Sequence, residues 1–105
     1  MKYISKDELV QILNNKDSFF IVDVREDYEY GYSNIGCKHI PMGDVCERKE
    51  EIPRNQNVLL VCKSGKRAEA VANYLETEFG YEYLYVLEGG LQAWKEVIDD
   101  TLKLD

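Results

Sequence analysis

Apolar positions along the chain fall into two spacings, one that suits helices and one that suits strands. Ser5-Lys6-Asp7-Glu8 has the Ser-x-x-Glu form of a capping box, and Leu9, Ile12 and Leu13 follow at helical spacing. This predicts a first helix over residues 6–14. Phe19-Phe20-Ile21-Val22-Asp23-Val24 is too short for a helix and apolar enough to be buried on both faces, so it predicts an interior strand. Lys38-His39-Ile40 stands before Pro41, which pushes its neighbour toward extended geometry. Val58 to Cys62 predicts a second strong strand. From Lys66 to Phe79 the residues Ala68, Val71, Ala72, Leu75 and Phe79 recur at helical spacing, and Gly80 supplies a stop. Tyr83 to Leu87 predicts another strand, Gly89-Gly90 a turn, and Leu91 to Ile98 a last helix with Leu91, Trp94, Val97 and Ile98 inward. The tail over 101–105 is expected to fray.

Strands alternating with helices imply an α/β fold, three layers deep, with a central, mainly parallel sheet covered on both sides. No repeat, linker or low-complexity stretch interrupts the pattern. A single domain over residues 1–105 is expected, and a chain of this length hides roughly two-thirds of its unfolded surface.

Charge narrows the function. Twenty acidic residues against 13 basic leave a net charge of −7, which repels phosphate backbones and anionic membranes. Neither nucleic acid nor membrane is an expected partner. The apolar runs fall short of the ~20 residues needed to cross a bilayer, and Met1 to Asp7 lacks a leader's apolar region, so a cytoplasmic location is expected.

The three cysteines, at 37, 46 and 62, cannot all pair and form no Cys-x-x-Cys. Free thiols are therefore the default, and the question becomes which one is placed to react. Cys62-Lys63-Ser64-Gly65-Lys66-Arg67-Ala68 lies where a strand ends and a helix begins, the place where parallel α/β sheets bind ligands. Lys63, Lys66 and Arg67 crowd the cysteine, and no acid lies between Cys62 and Ala68. Cations and a helix N-terminus favour the thiolate, which is the nucleophile. Gly65 lets the loop curl so that several N–H groups face one centre. Cations are unfavourable at that end of a helix dipole, so their placement points to an anionic substrate rather than to a solvated helix start.

Several motifs together resemble the rhodanese family, whose reactive loop has a Cys-x-x-Gly-x-Arg form in many members. Asp23-Val24-Arg25-Glu26 with Tyr28-Glu29-Tyr30 resembles the family's first signature, and Gly36-Cys37-Lys38-His39-Ile40-Pro41 is similar to its Gly-Ala-x-x-Ile-Pro segment. Leu87-Glu88-Gly89-Gly90-Leu91-Gln92-Ala93-Trp94 matches the closing motif. Ser33-Asn34-Ile35 departs from the family's Gly-His-Ile without touching the reactive loop.

The resemblance implies a rhodanese-like three-layer domain acting as a thiosulfate sulfurtransferase. Cys62 is the expected catalytic residue, carrying sulfur as a persulfide, while Lys63, Ser64, Gly65, Lys66 and Arg67 are the expected substrate-binding residues. The donor would be a small anion such as thiosulfate, or a persulfide. The acceptor would be cyanide or a biological thiol, and a protein could serve as either. No metal or organic cofactor is implied. Two other functions compete. A non-catalytic rhodanese-like module would commonly lose its cysteine, which is present here. A dual-specificity phosphatase of the cell-division type places five residues between Cys and Arg, whereas only Lys63, Ser64, Gly65 and Lys66 intervene here. His39 is expected to be a structural strand residue, Cys37 and Cys46 to pack or stand at the surface, and Trp94 and the tyrosines at 81, 83 and 85 to serve packing. Asp23, Arg25 and Glu26 are expected to hold the fold through hydrogen bonds and ion pairs.

Overall fold

The computed structural model describes residues 1–15, 19–97 and 102–104, without the side chains of Glu96 and Val97. Strand β1 (Lys2–Ile4) opens the chain, followed by α1 (Lys6–Asn14), β2 (Phe20–Asp23) and α2 (Asp27–Tyr32). Next come β3 (Lys38–His39), α3 (Val45–Arg48), β4 (Val58–Val61), α4 (Lys66–Phe79), β5 (Leu84–Leu87) and α5 (Gly90–Val97). The five strands form one sheet in the order β1-β5-β4-β2-β3, and every pairing is parallel.

Alternation along β4 explains the three layers. All four of its residues are buried, with Val58 and Leu60 turned to one face and Leu59 and Val61 to the other. On the first face they meet Val45 of α3 and Ala68, Val71, Ala72 and Leu75 of α4. On the second they meet Leu9 and Ile12 of α1 and Leu91 and Trp94 of α5.

Both ends of α1 and α4 fall where the sequence pattern puts them. Ser5 Oγ accepts the N–H of Glu8, and the Glu8 carboxylate accepts that of Ser5, which closes the capping box. Gly80 ends α4 in the left-handed region at φ 69°. The last helix runs Gly90–Val97, and Ile98 lies outside the described residues.

Several features differ from expectation, among them α3, which forms over Val45–Arg48 where no element was expected. β1 extends the sheet beyond β5, and α2 forms where only a motif was read. The tail does not simply fray: Leu102 is buried in the second-face core, and the N–H of Lys103 donates to Ser33 Oγ at 3.0 Å. Burial of the Leu102 side chain, together with the Lys103 hydrogen bond, opposes the entropy of ordering the chain there. Thr101 and Asp105 lie outside the described residues.

Candidate active site

β4 delivers Cys62 to the carboxyl end of the sheet, and the loop that follows turns into α4. Gly65 makes that turn possible. Its φ is +98°, and a Cβ there would lie 3.3 Å from the carbonyl oxygen of Leu87, so a side chain would meet both strain and crowding. With the loop curled, Cys62 Sγ accepts the N–H of Gly65 at 3.1 Å and of Ala68 at 3.3 Å. Cys62 is itself fully buried, so two main-chain donors converge on an enclosed sulfur. They are the groups that would stabilise negative charge there. Ala68 closes the stretch read from sequence but lies one residue past the expected substrate-binding set, Lys63 to Arg67.

The loop is held from behind by the start of α5. The N–H of Leu91 donates to the carbonyl of Cys62 at 2.8 Å, and that of Gln92 to the carbonyl of Lys63 at 2.9 Å. Gly90 permits this approach, because a Cβ on it would sit 2.4 Å from Lys63 O and 2.7 Å from Cys62 O. The Gly89-Gly90 pair, expected as a tight turn, is also the contact surface for the loop.

The predicted cations separate into different environments. Lys66 is exposed on the first turn of α4, and Lys63 is half-buried. Ser64 is exposed, with its Oγ 3.5 Å from the N–H of Lys66. Arg67 turns toward α2, where Nη1 donates to Glu29 Oε1 at 2.6 Å and Nη2 to Oε2 at 2.9 Å. Glu29 is buried, and its hydrogen bonds to this guanidinium, outweighing the cost of burial, hold its carboxyl at about 2. The same partner raises Arg67 above its ordinary value. Sequence reading missed Glu29's role; the one available signal was a carboxylate set among tyrosines in Tyr28-Glu29-Tyr30.

The first-signature charges sit beside this assembly and are tied to the backbone. Arg25 and Asp23 are both buried and paired, with Nε 3.0 and 2.9 Å from the two carboxylate oxygens and Nη2 2.8 Å from Oδ2. Arg25 Nη2 also donates to the carbonyl of Ser33 at 2.8 Å, which anchors the end of α2. His39 Nε2 donates to the carbonyl of Arg25 at 2.8 Å, and its ring stacks on Tyr30 with centroids 4.3 Å apart. Glu26 caps α2, its N–H donating to the Glu29 carboxylate at 3.1 Å. Cys37 is half-buried and Cys46 exposed. Among the described residues no group of three or more His, Cys, Asp and Glu side chains is placed to hold a metal ion. No helix there is long and apolar enough to cross a membrane.

Comparison with known proteins follows the same outline. A family model described as Rhodanese-like domain matches residues 5–97. A sulfurtransferase of Allochromatium vinosum is 32% identical over 92 residues, covering 87% of this chain and 85% of that protein. The thiosulfate sulfurtransferase GlpE of Tolumonas auensis is 30% identical over 85 residues, covering 80% and 79% respectively. Among solved structures, a rhodanese-like domain protein of Staphylococcus aureus superposes with a TM-score of 0.82 at 33% identity, over 100% of this chain and 99% of that one.

Proposed function

Since the chain belongs to the rhodanese-like domain family, we propose that it is a sulfurtransferase in which Cys62 carries sulfane sulfur as a persulfide. The observation that carries this reading is the pair of N–H groups, from Gly65 and Ala68, aimed at Cys62 Sγ. Sulfurtransferases among its relatives support the same class of reaction.

The chemistry is a double displacement. The Cys62 thiolate attacks the outer sulfur of the donor, and the S–S bond of the donor breaks. With thiosulfate, sulfite leaves with the bonding electron pair and Cys62–S–S⁻ remains. Cyanide or a thiolate then takes the outer sulfur, forming thiocyanate or a new persulfide and returning Cys62 to the thiolate. Charge on sulfur is stabilised in both steps by the N–H groups, which are already in place and need no reorganisation. Lys63 and Lys66 attract the anionic donor, Gly65 shapes the turn, and Ser64 stands at the rim. No step calls for a metal or organic cofactor.

One observation favours a second reading. Cys62 is fully buried, as a packing cysteine would be in a module that binds partners without turnover. Intact mass after incubation with sulfur donors separates the two. One added sulfur atom, absent in Cys62→Ser, is expected; a chain that gains none from thiosulfate or from a small-molecule persulfide is an interaction module.

A further inference from the structure

We propose that the C-terminal tail supports the active site at one remove: Leu102 and Ser33 are positioning residues that hold α2 where Glu29 can hold Arg67. This rests on the sulfurtransferase reading only for the reaction that Arg67 and its loop then serve.

The starting point is that α2 cannot hold itself. Six residues give a helix little stability of its own, and Gly31 in its interior lowers that further. No apolar side chain of α2 is buried; its one buried residue is Glu29, whose carboxylate is engaged by Arg67. Tyr28 and Tyr32 are 68% and 63% exposed and anchor nothing. The helix therefore depends on ties from outside it. Tyr30 supplies one, stacking on His39 and donating its hydroxyl to the carbonyl of Cys37.

Ser33, the residue that caps α2, gathers the others. Its N–H donates to the carbonyl of Glu29 at 3.3 Å, its own carbonyl accepts Arg25 Nη2 at 2.8 Å, and its Oγ accepts the N–H of Lys103 at 3.0 Å. Leu102, the neighbour of Lys103, is 2% exposed and belongs to the second-face core with Leu9, Leu91 and Trp94. A buried leucine thus adjoins the hydrogen bond that fixes the end of α2, and it supplies the apolar anchor the helix lacks.

The effect reaches the reactive loop through a continuous set of contacts. Ser33 is bonded to Glu29, Glu29 to both terminal nitrogens of Arg67, and Arg67 precedes Ala68, whose N–H donates to Cys62 Sγ. A pair of parallel N–H···O bonds needs its carboxylate and guanidinium in one plane, so a small shift of α2 loosens it.

The test follows the Glu29 carboxyl by NMR as pH is lowered, in the whole chain. With Arg67 in place that carboxyl titrates at about 2. Ser33→Ala removes the accepting oxygen, and Leu102→Ala removes the anchor. In each, Glu29 should begin to titrate at a higher pH than in the wild type, moving toward the ordinary 4.5. Loading of Cys62 with sulfur from saturating thiosulfate should slow by about tenfold, less than the hundredfold that a misplacement of about 1 Å costs. Ser33→Thr keeps an accepting hydroxyl and Leu102→Met an apolar side chain, and both should match the wild type. A tail that only adds stability would lower the urea midpoint and leave the Glu29 titration and the loading rate of the folded variants unchanged, and that result overturns the proposal. If Leu102→Ala does not fold, Ser33→Ala decides, since it leaves the core intact. A wild type that loads no sulfur removes the sulfurtransferase reading, whereas the Glu29 titrations still decide whether the tail holds α2.

Discussion

Cys62 follows the carboxyl end of β4, whereas Cys37 precedes the amino end of the short edge strand β3. Cys37 stands just before β3, beside a cavity of about 470 Å³ lined by Ile12, Phe19 and Ile35 among others. Burial, reinforced by the Asp23 carboxylate, pushes its thiol up to about 12. Cys62 stands just after β4, is buried more completely, and receives two N–H groups. Burial alone makes a thiol inert, because the charged form loses its water and gains nothing in return. Burial with N–H groups pointing at the sulfur is a different environment, in which the backbone substitutes for the lost solvent. Parallel strands supply that substitution at their carboxyl ends, where the next helix begins, and not at the ends where Cys37 lies.

Exchange of cysteines breaks the comparison most directly. Cys62→Ser should abolish sulfur loading, a loss of at least about a thousandfold in transfer rate, while a Cys37→Ser, Cys46→Ser double variant should load one sulfur as the wild type does. A mass series on the three proteins decides it. Gly90→Ala attacks the environment instead. The new Cβ would be driven into Lys63 O at φ +64°, displacing the loop and leaving the Cys62 sulfur closer in character to that of Cys37. A displacement on the order of 1 Å should cost about a hundredfold in loading, and urea unfolding should show a loss of roughly 1–3 kcal/mol.

A smaller effect comes from pH. Glu29 titrates at about 2 when folded against an ordinary 4.5, so its contribution to stability is complete above pH 4.5 and is lost as pH falls toward 2. That contribution is roughly 2 kcal/mol, allowing for the part of Arg67 that stays in water. The unfolding free energy of the wild type, read from urea titrations, should fall across this window, and that of Glu29→Gln should fall less by that amount. The smallest expected signal sharpens the contrast from the other side. At pH 8 a small alkylating agent should label exposed Cys46 and leave Cys37 unmodified in the folded chain.

Much of the fold was legible because local chemistry announced it. The capping box at Ser5 and the stop at Gly80 mark α1 and the end of α4, and the fully apolar run Val58 to Val61 could hardly be other than central. β1 and α2 lack such marks. β1 buries only Ile4 of its three residues. The one buried residue of α2 is Glu29, so no apolar stripe exists to reveal a helix, and Gly31 weakens the pattern further. The tail was misread for a similar reason: Leu102 is a single apolar residue without a period. At the site, Cys62 and its cations stand together in the sequence, but Arg67 finds its partner 38 residues earlier. A carboxylate that neutralises a binding cation across that distance is a product of the tertiary fold, and no spacing rule reaches it.

The hydrogen bonds from Leu91 and Gln92 to the carbonyls of Cys62 and Lys63 bear on whether the reactive loop is portable. A trans peptide is a rigid plate with its oxygen and its hydrogen on opposite edges, so fixing one edge orients the other. With those two carbonyls seized by α5, the N–H groups of Lys63 and Ser64 are turned away from it, and the chain enters the curl at Gly65 in one orientation. The instructions for the loop are thus divided between two stretches of sequence. Grafting Cys62-Lys63-Ser64-Gly65-Lys66-Arg67 onto the strand–helix junction of a different scaffold would carry the letters without the clasp, and the transplanted cysteine would be left as an ordinary thiol.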